Sequence, residues 1–248
     1  AALSNNVCGV GICPECVVAA MRLIAGPSSD YMEAEALGYE ADAIQVYSNS
    51  WGPIDDGKTM AGPGYVTKAM LAQKSVSGRT GKGSIYVWAG GNGGQNGDNA
   101  NYDSYANSRF TIAVGAIGAD GKKAYYSEDG ACIMISAPSS GTPGRGITTV
   151  YTAHNGEATC TNTFGGTSAA APLVAGGIAL VLGNFPNLYR RDILHLLALS
   201  STQIDASDPD WTPSTMYGVA HSHKYGWGML NMMAFTRLAI NWLPVPQA

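Results

Sequence analysis

A serine in the stretch Phe-Gly-Gly-Thr-Ser-Ala-Ala-Ala-Pro, residues 164–172, has surroundings suited to nucleophilic chemistry. This residue, Ser168, opens an alanine-rich segment typical of a helix, so its hydroxyl would lie near the positive end of the helix dipole. The two preceding glycines let a substrate backbone come close. The alternative is that Thr167 or Ser168 only caps the helix. Taken alone, the stretch leaves both interpretations open, and a cap is the commoner outcome.

Two segments rich in glycine and asparagine follow apolar runs of strand length. They are Ser-Asn-Ser-Trp-Gly-Pro at residues 48–53 and Ala-Gly-Gly-Asn-Gly-Gly at residues 89–94. Ligands of open α/β sheets bind where parallel strands reach their carboxyl ends, so both segments are predicted to border a binding site. The sequence has no G-x-G-x-x-G opening a helix, no phosphate-binding G-x-x-x-x-G-K-[ST] and no G-x-S-x-G. These absences disfavour a nucleotide-binding protein and an α/β-hydrolase.

Strand-length apolar runs alternate with helical segments along the chain, which predicts an α/β domain with a buried parallel sheet. The predicted strands cover residues 17–24, 44–47, 85–90, 110–116 and 133–137. The predicted helices cover residues 30–37, 65–76, 168–182, 189–200 and 229–243. No internal repeat or low-complexity linker divides the sequence. A single domain is the simplest account.

The composition of the 248 residues excludes several classes of protein. Hydrophobic residues make up 46% and charged residues 13%, which disfavours a disordered chain, a coiled coil and a highly charged nucleic-acid binder. The net charge of −4 mildly favours cationic ligands. We expect no nucleic-acid partner. We also expect no membrane span, because we find no charge-free apolar run of about 18 residues.

Further segments match a known family in order along the chain. The set comprises residues 49–57, 88–94, 101–108, 126–128, 191–192, 222–228 and the Gly-Gly-Thr-Ser stretch at 165–168. Together they resemble the subtilisin-like serine proteases, and within these the kexin/furin branch of proprotein convertases. The resemblance implies an α/β fold of three layers, α/β/α, with a mainly parallel sheet. It identifies residues 1–248 as the C-terminal portion of a catalytic domain.

The resemblance also implies roles for individual residues. Ser168 would be the nucleophile, and Asn92 would donate its side-chain amide to the oxyanion, although a turn residue between glycines is the alternative for Asn92. Cleavage would follow arginine and, less readily, lysine. The residues implied to bind substrate are Ser50, Trp51, Gly52, Pro53, Asp55, Ala89 and Asp103. Without the resemblance, the aspartates among them would be read as turn carboxylates.

Two calcium sites are implied by the same matching, because Ca²⁺ prefers oxygen ligands. A first loop would bind the ion through Ala2, Asn5, Val7 and Gly9. A second ion would lie between the carboxylates of Asp55, Asp98 and Glu128. Composition alone would treat these carboxylates as three separate surface acids.

The five cysteines cannot all pair within the chain. The resemblance implies a disulfide between Cys8 and Cys160, which would place the protein outside the reducing cytosol and suggests secretion. Cys13 and Cys16 are expected to form a short-range disulfide or two buried thiols, because no second pair completes a zinc site. Cys132 is expected to be unpaired, since Ala100 stands where the family has its partner.

A serine nucleophile needs a histidine base oriented by an aspartate. None of His154, His195, His221 and His223 stands in the family's His-Gly-Thr motif. We therefore expect catalysis to depend on an N-terminal fragment of the same catalytic domain that carries the Asp and His. That fragment would be a separate nicked chain or the missing part of an intact protease.

An alternative of another class is a catalytically dead pseudoprotease that binds basic peptides in a calcium-dependent manner. The retained nucleophile and oxyanion donor favour the enzyme, because a pure binding module needs neither. Peptide or protein substrates with basic residues are the expected partners. A propeptide or protein inhibitor is a further possible one.

Overall fold

The computed structural model describes residues 7–152, 156–214 and 218–245. The helices are α1 Asp30–Gly38, α2 Tyr65–Gly81, α3 Thr167–Asn184, α4 Arg190–Ser200 and α5 Met232–Ile240. The strands are β1 Val46–Asn49, β2 Ile85–Ala89, β3 Thr111–Ile117, β4 Ile133–Pro138, β5 Ile147–Thr152, β6 Ala158–Phe164, β7 Thr212–Pro213 and β8 Ala220–His221. Short 3₁₀ turns at Gly94–Asn96 and Ala100–Tyr102 join β2 to β3.

Strands β1 to β4 form one parallel sheet in the order β1-β2-β3-β4. Side chains alternate across a strand, and in β2 this sends Ile85 and Val87 to one face and Tyr86 and Trp88 to the other. The first face packs against α3, and helices α4 and α5 add to the same core. The second face contributes to a cluster with Leu37 of α1 and residues of α2. This arrangement confirms the predicted three-layer α/β/α fold.

Helix α3 packs across all four strands of the sheet. Its 18 residues carry no charge and are long and apolar enough to cross a membrane by length and composition alone. The expectation that no such stretch exists is therefore wrong. However, 56% of the helix is buried inside the protein, and a buried core helix passes the same test. The apolar composition of α3 is accounted for by its packing on the sheet.

The predicted strand at residues 17–24 is not formed, although all of its residues except Arg22 are apolar. Val17 is fully exposed, and Val18 and Ile24 are each more than 60% exposed. A strand is held by pairing with a neighbour, and no strand of the described residues lies beside this segment. The sequence pattern also missed the antiparallel pair β5–β6, whose residues are mostly exposed and lack a clear alternation.

Candidate active site

Ser168 is the second residue of α3 and is partly exposed. The helix is capped by Gly166, at φ 78°, without a side-chain hydrogen bond, so neither Thr167 nor Ser168 is the cap. A positive φ of this size is one that glycine adopts readily. The first N–H groups of a helix lack intrahelical acceptors, and that of Ser168 is among them. The nucleophile candidate therefore lies at an electropositive helix end with its hydroxyl not used for capping.

The side chain of Asn92 is held by Thr167. Its Oδ1 accepts hydrogen bonds from the Thr167 backbone N–H at 2.8 Å and from the Thr167 hydroxyl at 3.0 Å. Because the first partner is an obligate donor, the oxygen of the amide must face Thr167, and Nδ2 points elsewhere. No described residue accepts a hydrogen bond from that Nδ2. Asn92 and Ser168 line the same cleft, and the Asn92 Nδ2 is left available to donate a hydrogen bond.

Several residues to which the sequence assigned no such role support this geometry. Thr167 is fully buried and also accepts from the Gly91 N–H at 3.2 Å. Tyr126 accepts from the Gly166 N–H at 3.1 Å, and the Ser139 hydroxyl donates to the Gly166 carbonyl at 2.7 Å. The only signal for these roles was that Thr167 and Tyr126 stood inside the matched motifs. The glycine turn before the nucleophile is thus fixed from both sides.

The remaining substrate-binding candidates line the cleft with the nucleophile. They are Ser50, Trp51, Gly52, Pro53, Asp55, Ala89 and Asp103. The segment 50–53 continues from β1, and the Trp88 Nε1 donates to the Trp51 carbonyl at 2.7 Å. This bond holds the backbone of the segment against the buried Trp88 side chain. The Trp51, Trp88 and Tyr105 rings pack with centroids 4.8–5.0 Å apart and support the segment.

Asp103 offers one free carboxylate oxygen to the cleft. Its Oδ1 accepts from the Tyr105 N–H at 2.7 Å and the Ala106 N–H at 3.4 Å. Its Oδ2 lies beside Gly52, where an added Cβ would come within 2.8 Å of it. Burial raises the pKa of Asp103 to about 6, the two N–H groups oppose this, and the charges of Asp55 and Asp98 add to it. A buried carboxylate of this kind is stabilised by a cation.

Asp55, Asp98 and Glu128 form one cluster, as predicted. Each offers a carboxylate oxygen, and these oxygens lie within 4.8 Å of one another. Backbone N–H groups orient all three: Asn92 donates to Asp55, Gly57 to Asp98 and Gly93 to Glu128, at 2.8–2.9 Å. Glu128 is 2% exposed, and its pKa is raised to about 8, first by burial and then by the neighbouring carboxylates. The all-oxygen donor set and the mutual repulsion fit a hard divalent cation.

Glycine is required beside this cluster. Gly91 has φ 104°, and an added Cβ there would collide with the Glu128 carboxylate.

The structure describes only part of the other predicted ion site, because Ala2 and Asn5 lie outside the described residues. Val7 and Gly9 are exposed at the start of the described chain. The first-loop calcium site therefore stays a prediction.

The disulfide between Cys8 and Cys160 is present and links the first loop to β6, which leads to the nucleophile. Cys13 and Cys16 form a second disulfide, which decides between the two states left open for them. Cys132 is free and partly buried, as expected. Burial raises the pKa of its thiol to about 12, so it is not a reactive thiolate at neutral pH.

None of the described histidines borders the cleft. His195 stacks on Trp242 at a centroid distance of 6.5 Å. His221 packs edge-on against Trp227 and contacts the Ile133 carbonyl through Nε2, with His223 beside it. His154 lies outside the described residues. The described part of the chain thus gathers the candidate nucleophile Ser168, the candidate oxyanion donor Asn92 and the Asp103 carboxylate, but it brings no histidine to them.

A model of the subtilase family matches residues 1–228 of this chain. The chain is 43% identical over 244 residues to the dibasic-processing endoprotease of Schizosaccharomyces pombe, covering 98% of this chain and 34% of that protein. It is 40% identical over 245 residues to human proprotein convertase subtilisin/kexin type 7, covering 98% of this chain and 31% of that protein. The chain thus spans about a third of the length of these relatives.

Among solved structures, the serine protease of Aeromonas sobria superposes with a TM-score of 0.75. The two chains share 22% identity, and the match covers 90% of this chain and 48% of that one. At that identity the likeness establishes the fold alone.

Proposed function

Since the chain belongs to the subtilase family, we propose that it is part of a calcium-dependent serine endopeptidase that cleaves after basic residues. One observation carries the proposal: Ser168, Asn92 and Asp103 line a single cleft. These three supply a nucleophile, an oxyanion donor and a counter-ion for a basic side chain. The names of the kexin-like relatives point to the same specificity.

In the proposed reaction the Ser168 hydroxyl attacks the scissile carbonyl and loses its proton to a histidine base. The Asn92 Nδ2 donates to the oxyanion, and the base then passes the proton to the leaving amine. Water hydrolyses the acyl-enzyme and regenerates Ser168. Removal of one oxyanion donor costs about 10²–10³ in kcat in related enzymes. The held amide of Asn92 supports this role.

The histidine and its aspartate would come from the N-terminal part of the same catalytic domain. Two features of this chain support such a partner. Strand β1 is an edge of the parallel sheet within the described residues, so its outer side can pair with another strand. The apolar side chains of residues 17–24 are exposed and could be covered by the same addition. Whether that part is a separate chain is testable by denaturing gel and mass spectrometry of the purified protein.

The Asp55, Asp98 and Glu128 carboxylates would hold one calcium ion, and the loop with Ala2, Asn5, Val7 and Gly9 a second. A bound ion would supply positive charge that neutralises the carboxylate cluster beneath the cleft. The backbone N–H groups of Asn92 and Gly93 donate to this cluster, so its order also fixes the loop that presents Asn92. The two disulfides support an extracytoplasmic location. A propeptide or protein inhibitor would occupy the same cleft.

Labelling with a fluorophosphonate tests the nucleophile directly. In the assembled protease we expect one covalent adduct, on Ser168, and none in Ser168→Ala. Ser77→Ala, which changes an exposed serine on α2, is the matched control and should label like the wild type. A folded wild-type protein that binds basic peptides but neither labels nor cleaves would instead indicate the non-catalytic binding module.

A further inference from the structure

A second cavity lies next to the glycine turn that precedes the nucleophile. It has a volume of about 380 Å³ and is lined by Tyr125, Thr163 and the loop of residues 140–145. Ser140 lies directly against Gly165, where an added Cβ would collide with its hydroxyl. None of these lining residues belongs to the cleft that contains Asp103. The Gly165–Gly166 turn thus borders the cavity at Ser140, and Ser168 follows the turn after Thr167.

This placement would put the cavity on the path of a bound peptide beyond the cleaved bond. A substrate whose basic residue enters the Asp103 pocket runs along residues 50–52 and presents its carbonyl to Ser168. Its continuation leaves on the other side of Ser168, toward Gly165 and Ser140. An extended peptide advances about 3.3 Å per residue. At that spacing, we take the second or third residue after the cleaved bond as the one that would reach the cavity.

The cavity differs from the Asp103 pocket in its charge. Arg145 is exposed, and its guanidinium has no hydrogen-bond or ion-pair partner in the part of the chain that the structure describes. Its backbone N–H donates to the Thr142 carbonyl at 3.0 Å, which fixes the turn that carries it. The Ser140 and Thr142 hydroxyls line the same space, and no lining residue is acidic. A guanidinium presents paired N–H donors that match a carboxylate.

We propose that this cavity binds an acidic side chain of the substrate, two or three residues after the cleaved bond, with Arg145 as its counter-ion. The inference rests on the proposed endopeptidase function and extends it to the leaving half of the substrate. The enzyme would thus recognise substrates that have a basic residue before the cleaved bond and an acidic residue shortly after it. Such contacts act on formation of the acyl-enzyme, because the leaving half departs in that step.

The test compares internally quenched peptides that share an arginine before the bond and carry Glu or Gln at the second or third position after it. In the wild-type protease we expect kcat/KM to be about fivefold higher for the Glu peptide than for the Gln peptide at one of these positions. An effect of this size is typical of a partly exposed ion pair. Arg145→Gln should bring the ratio to about one, and Arg145→Lys should restore part of it. High salt should weaken the preference in the wild type. Arg109→Gln, an exposed arginine before β3 at the opposite end of the sheet, is the matched control.

A peptidyl-arginine aminocoumarin has no amino acid after the cleaved bond and reports the proposed function separately. Its kcat/KM should be the same in the wild type and in Arg145→Gln. No hydrolysis of this substrate by the wild type would contradict the endopeptidase function itself, and the inference with it. Normal hydrolysis, with the same Glu-to-Gln ratio in the wild type and in Arg145→Gln, would overturn only the role of Arg145.

Discussion

Replacing Asp103 by asparagine removes the charge of the proposed specificity pocket while preserving its shape. The asparagine Oδ1 can still accept from the N–H groups of Tyr105 and Ala106. Its amide nitrogen then takes the place of Oδ2 beside Gly52. The local turn should therefore persist, and the substitution isolates the electrostatic contribution of the carboxylate.

The loss to catalysis should be large for arginine substrates. Removing one partner of a desolvated, hydrogen-bonded charge pair costs about 2–4 kcal/mol, which corresponds to about 30- to 1000-fold in kcat/KM. Substrates with a neutral residue before the bond do not use the charge, so their slow cleavage should not fall. The preference for arginine over glutamine should accordingly collapse.

Although Asp103→Asn should lower catalysis, it should leave the free energy of unfolding unchanged or raise it. A folded-state pKa raised from 3.8 to about 6 means that the folded protein binds this proton more tightly than the unfolded chain does. Ionised Asp103 therefore destabilises the fold as pH rises from about 4 to 6, and the full cost is present above pH 6. That cost is about 3 kcal/mol at most, because a bound cation nearby would lower the pKa. Asp103→Asn should thus unfold at the same temperature as the wild type or a higher one at pH 8.

The assays are kcat/KM for matched Arg and Gln peptides, normalised by fluorophosphonate titration of active sites, and thermal unfolding at pH 4 and pH 8. Any gain in stability should be larger at pH 8 than at pH 4. Asp120→Asn, an exposed turn aspartate, serves as the control and should change neither preference nor unfolding. An Asp103→Asn enzyme that retains the wild-type preference for arginine would refute the assignment of the pocket.

Three other changes test the remaining parts of the site. Chelation with EDTA should lower the unfolding temperature of the wild type more than that of Glu128→Gln, because the substitution removes a metal ligand and its repulsion with the other carboxylates. Equal shifts of the two proteins in differential scanning fluorimetry would contradict the ion site. Asn92→Ala should lower kcat by a factor of about 10²–10³ with little change in KM. Thr167→Val, which removes the hydroxyl that holds Asn92, should lower kcat by about tenfold. A rise in KM alone would argue against oxyanion stabilisation. Replacing Cys8 and Cys160 by serine should lower the free energy of unfolding in urea by up to about 5 kcal/mol, since the disulfide closes a long loop; an unchanged urea midpoint would show that the bond does not constrain the unfolded chain.

The sheet strands were largely predictable because they are continuous apolar runs of strand length, which a parallel sheet covered on both faces buries. Residues 85–90 were predicted as a strand, and β2 is fully buried as Ile85–Ala89. Residues 17–24 are also mostly apolar but form no strand. Apolar composition predicts burial only when a neighbouring strand or helix is there to cover it. The exposed β5–β6 pair was missed for the converse reason, since its residues cover no core.

The sequence by itself determined which chemical groups are available. The order of the motifs was enough to nominate Ser168, Asn92, Asp103 and the three carboxylates, and the structure brings all of them to one edge of the sheet. Only the tertiary structure decided how these groups are oriented. Orientation depends on hydrogen bonds between residues distant in sequence, such as Thr167 holding the Asn92 amide across 75 positions. No local sequence pattern carries that information, because the two hydrogen-bonding partners come together only in the folded chain.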